Sequence, residues 1–154
     1  SVGVLVGDAG KWIPDIVEKA KSLKVTGGTE PGADLGPLVS KAALARVHSL
    51  IEMGVKEGAK LELDGRNVRV PGYPDGNFVG PTVFSGVKPG MSIYKEEIFG
   101  PVLCLLAVDT LDEAIALANG TAFGLVAGVY TRDFARAHAL ARELDARIGA
   151  RFAV

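Results

Sequence analysis

The sequence of 154 residues predicts an α/β fold, a mostly parallel sheet covered by helices. Three observations predict it. The second half alternates strand, helix, strand, helix, strand, the order that lays parallel strands beside one another with helices crossing over them. Residues 102–108 are apolar at every position, as a strand buried on both faces is, whereas a half-exposed strand would alternate. Two segments of the first half repeat apolar residues at spacings of three and four, the period of a helix with one buried face.

The elements follow in order. Residues 2–6 are apolar and partly β-branched, and read as a buried strand that Asp8 to Gly10 break. From 12 to 24, Ile13, Ile16, Val17, Ala20 and Leu23 recur at helical spacing, and Pro14 suits the first turn, where its missing N–H costs nothing. Residues 26–37 form a Gly/Pro-rich loop. Ser40 supplies an N-cap for a helix carried by Leu44, Val47, Ile51 and Val55, and Gly58 supplies its stop. Leu61 and Leu63 alternate with polar neighbours, Asp64-Gly65 offers a tight turn, and Val68 and Val70 alternate again, which predicts a short hairpin. Residues 73–80 are turn-rich. Thr110-x-x-Glu113 is a capping box opening a helix through Leu117. Residues 125–130 predict a strand, 134–144 a helix with Ala137, Leu140, Ala141 and Leu144 on one face, and 146–154 a further strand.

Composition narrows the function classes. The length predicts one domain, and 48% hydrophobic residues supply an ordinary core. A net charge of −1 and a pI near 6.1 speak against a nucleic-acid partner, which leaves a basic patch. Apolar runs such as 123–130 are far short of the ~20 residues of a membrane helix. The single cysteine, Cys104, forbids an internal disulfide and predicts a reducing, cytoplasmic location. Its place within the apolar run predicts a raised pKa and an inert thiol. The two histidines, His48 and His138, fall on helices and form no metal-spaced cluster, so no metal site is predicted. Arg132, Asp133, Arg136 and Arg142 read as an exposed helix face. The N-terminus begins directly on a strand without a basic flank, which predicts a fragment and no signal peptide.

One stretch stands out: Tyr94-Lys95-Glu96-Glu97-Ile98-Phe99-Gly100-Pro101-Val102-Leu103. It sets two carboxylates and an aromatic ring before a Gly-Pro turn at a strand's entrance. A carboxylate there can accept two hydrogen bonds from a vicinal diol such as a ribose, and the ring can lie against a flat heterocycle. The competing reading makes 95–97 a solvated turn and Phe99 a core plug. Lys95 to Val102 closely resembles the glutamate-phenylalanine signature of the aldehyde dehydrogenase superfamily. Pro31-Gly32-Ala33-Asp34-Leu35-Gly36-Pro37-Leu38, Asn77-Phe78-Val79-Gly80-Pro81-Thr82 and Asn119-Gly120-Thr121-Ala122-Phe123-Gly124-Leu125 resemble further segments of that family, in order, so that the resemblance runs from Ser1 to about Ile148.

The resemblance implies part of the catalytic domain of an NAD-dependent enzyme that oxidises an aldehyde through a cysteine thioester. It implies that Glu97 binds the hydroxyls of the nicotinamide ribose, that Phe99 packs on that riboside, and that Leu125 lines the nicotinamide pocket, an ordinary core leucine being the equal alternative. The nucleophilic cysteine, the general-base glutamate, the oxyanion-binding asparagine and the NAD-binding domain are expected upstream of Ser1, so no catalytic residue is assigned within the chain, which contains no Gly-x-Gly-x-x-Gly loop. An association segment is expected after Val154, and with it a homo-oligomer at full length. Residues 72–82 and 31–38 resemble the methylmalonate-semialdehyde dehydrogenase branch most closely, which passes its acyl group to coenzyme A. Residues 123–128 resemble the water-using members instead, and Arg151 stands where the family usually has an asparagine. A general water-using enzyme, a non-enzymatic α/β remnant that binds a partner, and a small nucleotide-binding module built on Glu97 are the alternatives.

Overall fold

A computed structural model describes residues 1–145 in full and the backbone of 148–153. The chain forms two compact units, residues 1–107 and 108–154.

The first unit is a four-stranded sheet with helices on both faces. Its elements are β1 (Val2–Val6), a 3-10 turn (Gly7–Trp12), α1 (Ile13–Lys21), α2 (Lys41–Lys56), β2 (Lys60–Leu63), β3 (Thr82–Ser85), α3 (Ser92–Lys95) and β4 (Val102–Val108). The strand order is β1-β4-β3-β2. β3 runs parallel to β4 and antiparallel to β2. Ser1 donates from its ammonium to the Val102 carbonyl (3.0 Å) and accepts from the Cys104 N–H (2.9 Å), the bracketing pattern of a parallel pair. The expected mostly parallel sheet is therefore present.

The unbroken apolar run of β4 follows from its two covered faces. Leu103 and Leu105 turn toward α1 and pack with Val17, Ile13, Ile16 and Ala20. Cys104, on the opposite face, lies against the Ile93 carbonyl of α3 (Sγ to O, 3.4 Å). β3 divides in the same way. Val83 joins the α1 cluster, and Phe84 faces Gly54 of α2, where an added Cβ would stand 3.2 Å from the ring and 2.9 Å from Ile93. Val47, Ile51, Ile93, Phe84 and Leu106 are all within 2% of full burial. Each large aliphatic or aromatic side chain so buried contributes roughly 1.5–3 kcal/mol.

The caps of α2 are those expected. Ser40 Oγ accepts from the Ala43 N–H at 3.1 Å. At the other end Gly58 sits at φ +94°, its N–H bonds the Val55 carbonyl (3.1 Å) and the Ala59 N–H bonds the Gly54 carbonyl (3.0 Å), which is a Schellman closure. α1 is shorter than expected: Trp12 ends the preceding 3-10 turn, and the helix stops at Lys21 with Ser22 as its C-cap, so 22–24 lie beyond it.

The hairpin expected at 61–70 does not form. Only Lys60–Leu63 is a strand, and it pairs with β3. Asp64 receives the Arg66 N–H (3.0 Å) and its guanidinium, Gly65 N–H donates to Thr82 Oγ1 (3.1 Å), and Gly80 N–H donates to the Gly65 carbonyl (2.8 Å). These bonds tie 64–66 to the start of β3 rather than to Val68 and Val70. β3, buried at all four positions, offers the Leu61 and Leu63 side of β2 a better partner than the polar 66–69 segment.

The second unit contains α4 (Leu111–Asn119), β5 (Val126–Tyr130), α5 (Phe134–Glu143) and β6 (Ile148–Ala153), with β5 and β6 parallel. The capping box is complete: Thr110 Oγ1 accepts from the Glu113 N–H, and Glu113 accepts from the N–H groups of Thr110 (3.1 Å) and Asp109 (2.9 Å). Those bonds hold the Glu113 carboxyl below its ordinary value. Asp133 caps α5 in the same manner, and Ala137 and Leu140 are its buried face, with Arg132, Arg136 and Arg142 exposed as expected. The side chains of Arg147 and Arg151, and the ends of the last expected strand at 146, 147 and 154, lie outside the described residues.

Candidate functional site

The signature segment emerges from α3 and enters β4. Ile98 is buried (5% exposed) and anchors it in the core. On either side, Glu97 is exposed and Phe99 is 80% exposed. Phe99 is therefore no core plug. It is also the one non-glycine residue with a positive φ among those described, at +57°. A bulky side chain in the left-handed region costs about 1–2 kcal/mol, and an exposed phenylalanine gains nothing from burial. Strain and exposure together mark residues held for function.

Three contacts fix this turn to α2. Arg46 Nη1 donates to the Glu97 carbonyl (2.8 Å) and the Ile98 carbonyl (3.0 Å), and Nη2 reaches Glu96 Oε2 (3.4 Å). Gly100 lies so close to Val47 that a Cβ would stand 2.8 Å from Cγ2. At the far end of the helix, Glu57 receives the Ser92 N–H (2.7 Å) and hydroxyl (2.6 Å), which caps α3. The hydroxyl first, and then the N–H, hold the Glu57 carboxyl below its ordinary value.

The two carboxylates of the signature thus differ. Glu96 is engaged by Arg46. Among the described residues the Glu97 carboxylate makes no hydrogen bond or ion pair, so both its oxygens remain able to accept from a vicinal diol. With the bare ring of Phe99 two residues on, this corner suits a nucleoside ribose and its base.

Leu125, in the second unit, is 66% exposed and so not a core leucine of that unit. Its approach is fixed by Asn119, whose amide donates to the Glu143 carbonyl (2.7 Å) and accepts from the Asp145 N–H (2.9 Å), while Thr121 Oγ1 accepts from the Phe123 N–H (3.2 Å). Cys104 is 1% exposed, and burial pushes its thiol up to about 11. A neutral, enclosed thiol cannot attack a carbonyl. Residues 30–38 and 72–82 dock on one another: Tyr73 donates to Glu30 (3.0 Å) and Leu38 N–H to the Asn77 carbonyl (2.8 Å). Among the described residues no group of three His, Cys, Asp or Glu side chains could hold a metal ion.

The sequence reading missed Arg46, Glu57 and Asn119 as supports of these loops. Asn119 heads a recognised segment and was within reach. Arg46 and Glu57 lie 51 and 35 residues from their partners, and no local pattern announces them.

Comparison with known proteins bears on the family and the fold. The model of the aldehyde dehydrogenase family matches residues 6–149. A human protein named methylmalonate-semialdehyde/malonate-semialdehyde dehydrogenase, acylating, mitochondrial, is 53% identical over 145 residues, 94% of this chain and 27% of that protein. The crystal structure of methylmalonate-semialdehyde dehydrogenase from Oceanimonas doudoroffii superposes with a TM-score of 0.91 at 33% identity, covering 99% of this chain and 31% of that one. The NAD+ complex of aldehyde dehydrogenase from Bacillus cereus superposes at 0.88 with 37% identity, covering 99% and 30%. The chain therefore spans under a third of the length of these relatives. The cytoplasmic location expected from the sequence is overturned by the human relative, whose name is mitochondrial. A single cysteine, with no second thiol in the chain to pair with, does not separate one compartment from another. With the family model matching almost end to end, the chain belongs to the aldehyde dehydrogenase family.

Proposed function

We propose that this chain is part of the catalytic domain of an NAD-dependent aldehyde dehydrogenase of the methylmalonate-semialdehyde, acylating type, with coenzyme A as acyl acceptor. The observation that carries the site is Phe99, strained at φ +57° and 80% exposed, beside the unengaged carboxylate of Glu97. Glu97 accepts hydrogen bonds from the nicotinamide-ribose hydroxyls. Phe99 packs on the riboside, and Leu125 lines the nicotinamide pocket. NAD, when bound, supplies the hydride acceptor. The chain's own residues orient it: a ribose held at two hydroxyls cannot rotate about its long axis, and the ring limits its tilt. The nucleophile, the dinucleotide-binding domain and the association segment of a homo-oligomer belong to parts of the protein other than these 154 residues. Cys104, enclosed with its thiol near 11, is structural.

The test uses Glu97→Gln in the full-length protein. Loss of a charged acceptor is expected to weaken cofactor binding by about 1–3 kcal/mol, roughly five- to 150-fold. Single-turnover hydride transfer should slow more than acyl transfer does. Unchanged hydride transfer would show that Glu97 is only a surface residue. The segment 123–128 resembles water-using members and favours a second reading, in which water replaces coenzyme A. Release of free acid rather than a coenzyme A thioester from the same reaction would establish it.

A further inference from the structure

We propose that Arg46 is the positioning residue of the cofactor site: its guanidinium holds the Glu97–Phe99 turn in the left-handed form that presents both side chains. The inference rests on the reading of Glu97 and Phe99 given above.

Two consecutive carbonyls, of Glu97 and Ile98, converge on Nη1 at 2.8 and 3.0 Å. The carbonyls of an extended segment point to alternate sides, so their convergence on one cation requires a turned backbone. The turn is carried into Phe99 at φ +57°. The second nitrogen meets Glu96 Oε2 at 3.4 Å, which draws that carboxylate toward α2 and leaves its neighbour unengaged. One planar fork thus does three things: it compensates the turned carbonyls, occupies the wrong carboxylate, and leaves the right one open. An ammonium, a single point charge, cannot meet all three acceptors in this arrangement. Backbone bonds close the turn at its two ends, Glu96 N–H to the Ser92 carbonyl and Val102 N–H to the Gly100 carbonyl (both 2.8 Å), and its remaining side-chain contacts are apolar. Ile98 fills the core and Gly100 abuts Val47, which fixes where the turn sits but not which way its carbonyls face.

Arg46 touches no substrate by this account and acts through Glu97 and Phe99. The full-length protein carrying Arg46→Ala, Arg46→Gln or Arg46→Lys should fold with a thermal transition close to that of the unaltered protein, since the guanidinium is half-exposed. NAD affinity should fall roughly tenfold in Arg46→Ala, with partial recovery in Arg46→Lys. AMP, which lacks the nicotinamide riboside, should bind equally well to all four proteins. In combination with Glu97→Gln, the Arg46→Ala effect on NAD should shrink, because both act on the same contact. Full recovery of NAD affinity in Arg46→Lys would overturn the role of the fork. Equal losses for NAD and AMP would overturn positioning in favour of a general structural role. NAD affinity unchanged in Arg46→Ala but lost in Glu97→Gln would overturn the inference about Arg46 alone. NAD affinity unchanged in both would overturn the site reading, and this inference with it.

Discussion

Phe99 combines a left-handed backbone with a ring that nothing in its unit covers. Glycine would remove the Cβ penalty of about 1–2 kcal/mol, and would add back about 0.5–1 kcal/mol of chain entropy. Phe99→Gly should therefore leave the melting temperature nearly unchanged, while NAD affinity in the full-length protein falls. Thermal denaturation with a parallel NAD titration checks both halves, and marked destabilisation would make the ring structural. At this scale the family resemblance singled out Glu97, while the residues themselves were silent about what sets it apart from Glu96. The pair Glu96-Glu97 is a symmetric string in sequence. Arg46, 51 residues earlier, makes it asymmetric.

Helix ends were the most legible elements, because a cap is a local arrangement of a few consecutive residues. Ser40, Gly58 and the Thr110–Glu113 box all occupy the positions their spacing foretold. β3 and α3 were not foreseen. Each is four residues long, and the partners of β3 are strands distant in sequence. The same non-local pairing took β2 away from its expected hairpin. Gly54 inside α2 and Gly58 just past its end separate packing cost from backbone cost. Around Gly58 an added Cβ meets nothing within 4 Å, so Gly58→Ala should destabilise by about 1–2 kcal/mol through its φ alone. At Gly54 an added Cβ would press on Ile93 and Phe84, so Gly54→Ala should cost about 1–3 kcal/mol through overpacking. Urea titrations of both variants read these values.

The carboxylate caps also set an acid limit. Glu113 is held low by the N–H of Thr110 first and of Asp109 second. A lowered folded pKa means that the unfolded chain binds the proton more readily. The contribution is therefore complete above the ordinary value of 4.5 and is lost as pH falls through the lowered folded value. Glu113→Gln should flatten the fall of stability below pH 4.5, measured as helix content against pH, and an unchanged profile would remove Glu113 from the account.

For the molecule as a whole, the fold class was legible because alternation and the apolar run of β4 are properties of the entire string. The chain by itself should oxidise no aldehyde, since its one thiol is enclosed, and on the proposed reading of Glu97 and Phe99 it should bind NAD only weakly. Micromolar NAD affinity of the isolated chain by calorimetry would instead favour a self-sufficient nucleotide module.

That lone thiol also serves as a clock. Cys104 belongs to the first unit, and the second unit has no cysteine. A thiol reagent reaching it reports the opening of the sheet around β4, and each tenfold slowing relative to the unfolded chain measures about 1.4 kcal/mol of opening free energy. The pH dependence identifies the route. Modification through an opened state follows a thiol near its ordinary value of 9.0, and attack on the closed state follows one near 11. A single mass-spectrometric time course can thus read the fluctuation of the first unit alone, through a thiol the chain already carries.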